Sequence, residues 1–267
     1  IIVGTEAKDK QKQAQITQAK IAEKEKADQL RRAWALPPEA KIKQQKISTI
    51  LLPVLNRATN DAVKVFLQSN KNRFSQAKLV ANKKLLTFNF PETFSLGKLV
   101  CLGENNYFYE TQAQKQVTVP EMSLRRLHCN DIVREYPQIL NYFGPSDLWA
   151  LIIEGQSCDP ELLITSISKM KNLHILNLAR TILPDDKLTS LDALTSLQTL
   201  SLANSRFDST SLSRCRLLNH LDNLDLENGD QLQPLLEKLK QNNHLQSLVF
   251  LHKQKFHQNS NYYKHKT

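Results

Sequence analysis

Glycine is scarce in this chain, and that scarcity limits the kinds of site the sequence can build. The 267 residues include six glycines, and the phosphate-binding patterns G-x-x-x-x-G-K-[ST] and G-x-G-x-x-G do not occur. The catalytic patterns H-E-x-x-H and G-x-S-x-G are missing as well. We therefore expect a protein without enzymatic activity and without a bound cofactor or metal.

Cysteines and long apolar runs are also sparse. The four cysteines form no C-x-x-C pair, which argues against a zinc ribbon and against a small disulfide-bonded scaffold. No run of about 18 apolar residues occurs, so no segment of the printed sequence is expected to cross a membrane as a helix. The chain opens on Ile1, and one hypothesis is that "IIVG" is the last turn of a transmembrane helix upstream of it.

Positive charge is in excess and is concentrated near the start of the chain. The formal net charge is +10, and residues 1–46 carry 11 Lys and Arg against 6 Asp and Glu, which is half of the excess. A basic excess favours weak attraction to phosphates or anionic lipid, although a solvated lysine-rich helix is the simpler interpretation. Because Ala, Gln, Lys and Glu dominate without an apolar heptad, we predict a charged helical stalk over 1–46.

The next segment, 47–95, is predicted to form a helix followed by strands. Apolar residues recur at helical spacing over 47–67, as expected for a helix with one buried face. The text of 83–104 and 116–131 alternates like strands and is interrupted by prolines. We interpret 47–95 as a capping segment for the region that follows.

From residue 96 onward the sequence is periodic. Six strings of the form L-x-x-L-x-apolar are separated by 24, 25, 24, 24 and 24 residues, and a degenerate seventh precedes them by 28. A unit of this length cannot bury its own apolar face, so neighbouring units must stack. Because strand side chains alternate, the fourth and sixth places of each string should point inward and the third, fifth and seventh outward. The strings begin at Leu96, Leu124, Leu148, Leu173, Leu197, Leu221 and Leu245.

These strings resemble the leucine-rich repeat family, in a bacterial-type 24-residue form, over about residues 96–252. The resemblance implies an α/β fold: a leucine-rich-repeat solenoid with a parallel β-sheet on the concave side and helices or turns on the convex side. The helical stalk and the capping segment would precede it, and 253–267 would be a polar tail.

The ninth place of each string departs from the family, which commonly has Asn or Cys there to satisfy backbone groups at the turn. Only Thr181 and Ser205 are expected to supply part of that hydrogen bonding. The ninth-place residues are Glu104, Ile132, Gln156, Thr181, Ser205, Gly229 and Lys253.

The resemblance also implies a ligand on the concave face, whose charge runs from basic to mixed to acidic along the strings. Such a gradient suits a protein or peptide of complementary charge. The alternative is a variegated solvated surface, and Trp149 either anchors a partner or covers the sheet edge. The expected partner-binding residues are Arg125, Arg126, His128, Trp149, Glu154, Asn177, Ser201, Asp222, Asp225 and Glu227.

Cysteine and histidine chemistry is not favoured by this register. His128 and Cys129 are neighbours in "SLRRLHCND" but should lie on opposite faces, whereas a nucleophile and its base must share one. Cys101 and Cys129 fall on inward places and are predicted to pack in the core. His220 and His244 recur before successive strings, either as polar residues at the strand entrance or as the start of a metal site.

The sequence therefore predicts a non-enzymatic interaction module, expected to be monomeric, that binds a protein or peptide on its concave face. The alternative is the sensor portion of a larger membrane-tethered receptor or repeat-linked protein kinase whose catalytic domain lies outside this sequence. An RNA-associated role is not favoured, because Trp149 is the lone aromatic among the concave-face residues. The compartment stays open between membrane-tethered and cytoplasmic.

Overall fold

A helix and a small antiparallel sheet begin the described part of the chain. The computed structural model describes residues 55–80, 83–103, 108–227 and 232–249. Helix α1 (Arg57–Ser69) is capped by Asn56, whose side chain accepts the N–H of Thr59. Strands β1 (Ser75–Val80), β2 (Lys83–Asn89) and β5 (Gln116–Pro120) form a three-stranded antiparallel sheet in the order β1-β2-β5. The predicted stalk and polar tail lie outside the described residues.

The larger sheet has eight strands in the order β11-β10-β9-β8-β7-β6-β3-β4. Neighbours from β6 to β11 are parallel, whereas β3 is antiparallel to both β4 and β6. Its strands are β3 (Gly97–Leu102), β4 (Phe108–Gln112), β6 (Leu124–Cys129), β7 (Ala150–Ile152), β8 (Ile175–Asn177), β9 (Thr199–Ser201), β10 (Asn223–Asp225) and β11 (Ser247–Val249).

Short helices connect the parallel strands, and their buried residues join the same apolar core. The α-helices are α2 (Asp131–Glu135), α3 (Pro160–Ile167), α4 (Ser209–Ser213) and α5 (Gln233–Leu239). The 3-10 helices are Pro137–Tyr142, Asp185–Ala193 and Arg216–Asn219. None of the helices within the described ranges combines the length and apolar character needed to cross a membrane.

The prediction of a leucine-rich-repeat solenoid over 96–252 is wrong. The described chain is a mixed α/β arrangement of two sheets, and only part of the larger one is parallel. The string at Leu96 gives β3, which runs antiparallel to β6 and places Gly97 opposite Cys129. Strand β2, before residue 95, pairs with β5, after it. Side-chain alternation has the same period in both strand directions, so the string pattern did not carry this difference.

The parallel strands keep one register although their spacing in the sequence varies. Ala150 pairs with Ile175, and Ile175 pairs with Thr199 in the same row. The sequence separation from Ala150 to Ile175 is nevertheless longer than that from Ile175 to Thr199. The row of leucines at the fourth place is buried and faces the core. It comprises Leu127, Leu151, Leu176, Leu200 and Leu224, each at most 1% exposed.

Aromatic side chains dominate the core next to the antiparallel sheet. Phe74 is fully buried, and its ring contacts four aromatic rings at centroid distances of 5.0 to 6.1 Å. Such pairs add to the apolar burial by about 1 kcal/mol each. The partners of Phe74 are Phe66, Phe90, Tyr142 and Phe143.

A left-handed residue follows three consecutive parallel strands at the same place. Gly155, Arg180 and Asn204 have φ of 93°, 60° and 58°. Each donates its backbone N–H to a carbonyl of the next unit, at 2.9, 2.9 and 2.7 Å respectively. This bond joins successive turns just after their strands end.

Hydroxyl groups at the ninth place make the backbone hydrogen bonds expected from the sequence. Thr181 Oγ1 and Ser205 Oγ each donate to the carbonyl of Leu178 at 2.6 Å. Ser205 Oγ also accepts the backbone N–H of Thr181 at 3.3 Å. The prediction for these two residues is confirmed.

Candidate functional site

The candidate site is the face of the parallel strands that points away from the leucine row. We call it the ladder face and define it by the two rows of side chains that flank those leucines. The first row is Arg126, Ala150, Ile175, Thr199, Asn223 and Ser247. The second row is His128, Ile152, Asn177, Ser201, Asp225 and Val249.

The basic end of the ladder face is less positive than the sequence alone indicates. Lys98 on β3 lies beside His128 in the sheet, and its ammonium group binds the Glu110 carboxylate at 2.9 Å. That contact lowers the pKa of Glu110. Burial first, and then the charge of Arg126, lowers the pKa of His128 to about 4, so His128 is neutral near pH 7. The positive charge therefore comes from Arg126 and Lys98, and Glu110 interacts electrostatically with both.

The middle of the ladder face carries no charge in either row. Asn177 is held by its own turn, because its Oδ1 accepts the backbone N–H of Ala179 at 2.8 Å. Its Nδ2 reaches Glu154 Oε1 at 3.5 Å, and Glu154 lies just beyond the end of β7. The uncharged residues are Ala150, Ile152, Ile175, Asn177, Thr199 and Ser201.

The acidic end is built on and around β10. Asp225 Oδ1 accepts the backbone N–H of Glu227 at 3.0 Å, which repeats the Asn177 turn two strands away. Asp225 Oδ2 accepts a hydrogen bond from Ser201 Oγ at 3.0 Å. Asp222 lies just before β10 and Glu227 just after it. Three carboxylates therefore belong to a single strand and its two ends.

Arg125 does not lie on the ladder face. The residue is 9% exposed, and its guanidinium donates to the carbonyls of Asp147, Glu121, Ser123 and Ser146 at 2.7 to 3.1 Å. Burial lowers its pKa. Arg125 and Arg126 are the same residue type, but only Arg125 is buried, and its hydrogen bonds to Asp147 and Ser146 join β6 to the loop before β7.

Trp149 lies at the entrance of β7, half-buried and beside the ladder face. Its ring stacks on His174 with centroids 5.6 Å apart and planes 20° apart. Its backbone N–H donates to the carbonyl of Arg125 at 2.8 Å. The two roles predicted for Trp149, partner anchor and cover for the sheet edge, stay predictions; its strand β7 lies inside the sheet.

The cysteines within the described residues are free thiols. Two of them lie on neighbouring strands, Cys101 on β3 and Cys129 on β6. Because these strands are antiparallel, Cys101 pairs with Arg125 and Cys129 with Gly97, at opposite ends of the strand pair. Burial raises the pKa of Cys101 to about 11 and raises that of Cys129 further. The described ranges hold no group of three side chains suited to a metal ion, and His220 and His244 belong to none.

Sequence reasoning missed Glu110, because β4 contains no leucine string. The available signal was the strand-forming residue types in "FYETQ", namely two aromatics and a threonine. No model of a known protein family matches this chain, and no curated protein matches its sequence. The resemblance to leucine-rich repeats therefore stays a prediction.

Proposed function

We propose that this chain is a non-enzymatic interaction module that binds a protein or peptide partner on the ladder face. The observation that carries the proposal is the charge arrangement: Arg126 and Lys98 at one end, Asp225 and Glu227 at the other, and uncharged side chains between.

The dimensions of the face suit a short element of a partner. From β6 to β10 there are four strand intervals, which span about 19 Å at about 4.8 Å each. An extended segment of roughly six residues covers that length. Four of the six residues in the uncharged middle, Ala150, Ile152, Asn177 and Ser201, are already buried. A partner that covers the middle therefore removes little polar surface from water, and the charges at the ends fix its direction.

The acidic end is available to a basic partner. Within the ranges that the structure describes, no Lys or Arg side chain forms an ion pair with Asp225 or Glu227. We expect the partner to place a Lys or Arg near these carboxylates and an acidic group near Arg126. Its affinity should fall as salt is added, because exposed charges are screened.

The test reverses both ends together, with Arg126→Glu and Asp225→Lys in one variant. Proteins captured on the immobilised chain from an extract of its source cells are quantified for the wild type and the variant. A partner of the ladder face is depleted from the variant, and its purified form binds at least about tenfold more weakly. The matched control is Lys240→Glu, at an exposed lysine that pairs with Glu237 after α5.

A gentler variant separates loss of charge from loss of structure. Asp225→Asn keeps an oxygen for the Glu227 N–H, as Asn177 does at the same register position. We expect unchanged stability and weaker binding of the basic partner. Equal capture by wild type, double variant and control would remove the ladder face from the binding site.

A further inference from the structure

A second candidate binding surface is the outer edge of β4, where backbone N–H and C=O groups lack a paired strand within the described residues. The backbone N–H of Ala113 donates to the carbonyl of Gly97, and the carbonyl of Ala113 accepts the N–H of Leu96. Because backbone groups alternate in direction along a strand, those of Thr111 and Tyr109 also point toward β3. The backbone groups of Phe108, Glu110 and Gln112 therefore point away from the sheet. Within the described residues no strand pairs with that side of β4.

Apart from one charge, on Glu110, this edge lacks the features by which sheet edges usually avoid pairing. The strand "FYETQ" contains no Pro, Gly or Lys, and it is longer than the three-residue strand β11 at the opposite edge. Its single charge, on Glu110, is bound to Lys98 on the same sheet. Phe108 is 60% exposed and Tyr109 is 37% exposed, so apolar surface accompanies the open backbone groups.

A cavity lies beside the same edge, between the inner face of β3 and β4 and strand β5. Its volume is about 290 Å³, which accommodates an aliphatic side chain. Tyr109 contributes to its wall, so side chains of an added strand that point to the Tyr109 side would reach it. The lining residues are Cys101, Gly103, Tyr109, Thr118, Val119, Pro120 and Ser123.

We propose that β4 receives an extended segment of a partner protein, which pairs along the edge and places an apolar side chain in this cavity. Pairing with a second copy is disfavoured by charge. An antiparallel self-pairing along the whole five-residue strand centres on Glu110 and sets two carboxylates about 5.5 Å apart at their Cα atoms. The segment therefore carries an uncharged or basic residue opposite Glu110. This proposal concerns a different surface from the ladder face and does not depend on it.

The test uses the full chain labelled with nitrogen-15 and a capped synthetic peptide of about six residues that alternates valine and threonine, with one central lysine. Binding protects the amide hydrogens of Phe108, Glu110 and Gln112 from exchange. The matched control peptide is N-methylated at alternate backbone nitrogens, which removes the pairing hydrogen bonds and weakens binding at least about tenfold. Equal binding of the two peptides would overturn strand addition.

A protein variant tests the same edge from the other side. Glu110→Pro removes an outward N–H without touching the hydrogen bonds to β3, so the peptide no longer binds while cooperative unfolding is retained. Glu110→Gln keeps the edge and loses only the preference for lysine. Unchanged peptide affinity in Glu110→Pro would contradict the proposal. Slow exchange of the three amides without peptide would also contradict it, because another segment or a second copy would already cover the edge.

Discussion

Strand β6 has an antiparallel neighbour on one side and a parallel neighbour on the other, and the two regions that meet there are stabilised differently. On the β3 side, contacts join residues far apart in sequence: the backbone N–H of Phe74 donates to the carbonyl of Tyr142 at 2.9 Å. On the β7 side, each strand pairs with the next strand along the chain. The first region depends on an aromatic cluster, and the second on a repeated row of leucines and turn hydrogen bonds.

The difference shows where a single change should matter. In the antiparallel region, one residue can contact several segments that are distant in sequence, so its substitution should lower the stability of the whole region. In the parallel region each unit mainly contacts its neighbours, so a change should act locally and in a similar way at equivalent positions. Substitutions at Gly97, Arg125, Thr181 and His128 test this contrast.

Gly97→Ala should have the largest effect, because it acts at the junction of the two regions. Gly97 has φ of +125°, and a Cβ atom there would lie 1.9 Å from the carbonyl oxygen of His128. The pairing of β3 with β6 must open, and we expect a loss of about 3 kcal/mol or more in the free energy of unfolding. Urea denaturation measures it. Gly144→Ala, where φ is not in the left-handed region, is the control and should cost clearly less.

Arg125→Met should come next. It keeps the apolar stem but leaves four backbone carbonyls without the guanidinium, at a cost of roughly 3 kcal/mol. Arg126→Met, one position away on the ladder face, should cost less than about 1 kcal/mol. Equal stability losses in the two variants would show that the four hydrogen bonds of Arg125 do not stabilise the fold.

Thr181→Val should have a smaller effect that reports on coupling within the parallel region. It removes one of two hydroxyl donors to the Leu178 carbonyl and should cost about 1 kcal/mol, as should Ser205→Ala. Because both hydroxyls serve one carbonyl, the double variant should lose more than the sum of the single losses. Strict additivity in a double-mutant cycle would show that the two bonds act independently.

The smallest expected effect is a pH dependence at His128. The pKa of His128 is lowered to about 4 in the folded chain, against an ordinary value of 6.5. As the pH falls through 6.5 the unfolded chain takes up a proton first, so stability falls between about pH 6.5 and pH 4. His128→Gln should make the urea midpoint less dependent on pH over that range. The same change at the exposed His244 is the matched control, and identical curves for wild type and His128→Gln would refute the prediction.

The sequence predicted which residues form the buried rows but not the direction of every strand. The strings from Leu124 to Leu245 each contain a strand, and their fourth-place leucines lie in the core or, for Leu248, pack against it. The string at Leu96 follows the same alternation yet runs the other way, because a two-residue period does not encode direction. The interval from Leu96 to Leu124, which is longer than every later interval between strings, was the one available signal.

For the candidate site, the register located the ladder face but could not assign burial at its margins. Arg126, Asn177, Ser201 and Asp225 lie where alternation placed them. Arg125 is buried because carbonyls from the distant loop before β7 converge on it, as in its bond to Asp147. Hydrogen bonds between a charged side chain and carbonyls distant in sequence produce no periodic pattern, so the sequence did not predict the burial of Arg125.

The unequal spacing of the parallel strands in the sequence has a consequence for which insertions and deletions the fold tolerates during evolution. Gly155, Arg180 and Asn204 occupy equivalent places, and the first interval between them is longer than the second, yet all the strands stay in register. The additional residue is absorbed between Gly155 and Leu173, outside any strand. Insertions and deletions in these connections should therefore be tolerated and accumulate over evolutionary time, while binding preference drifts separately through substitutions at the strands.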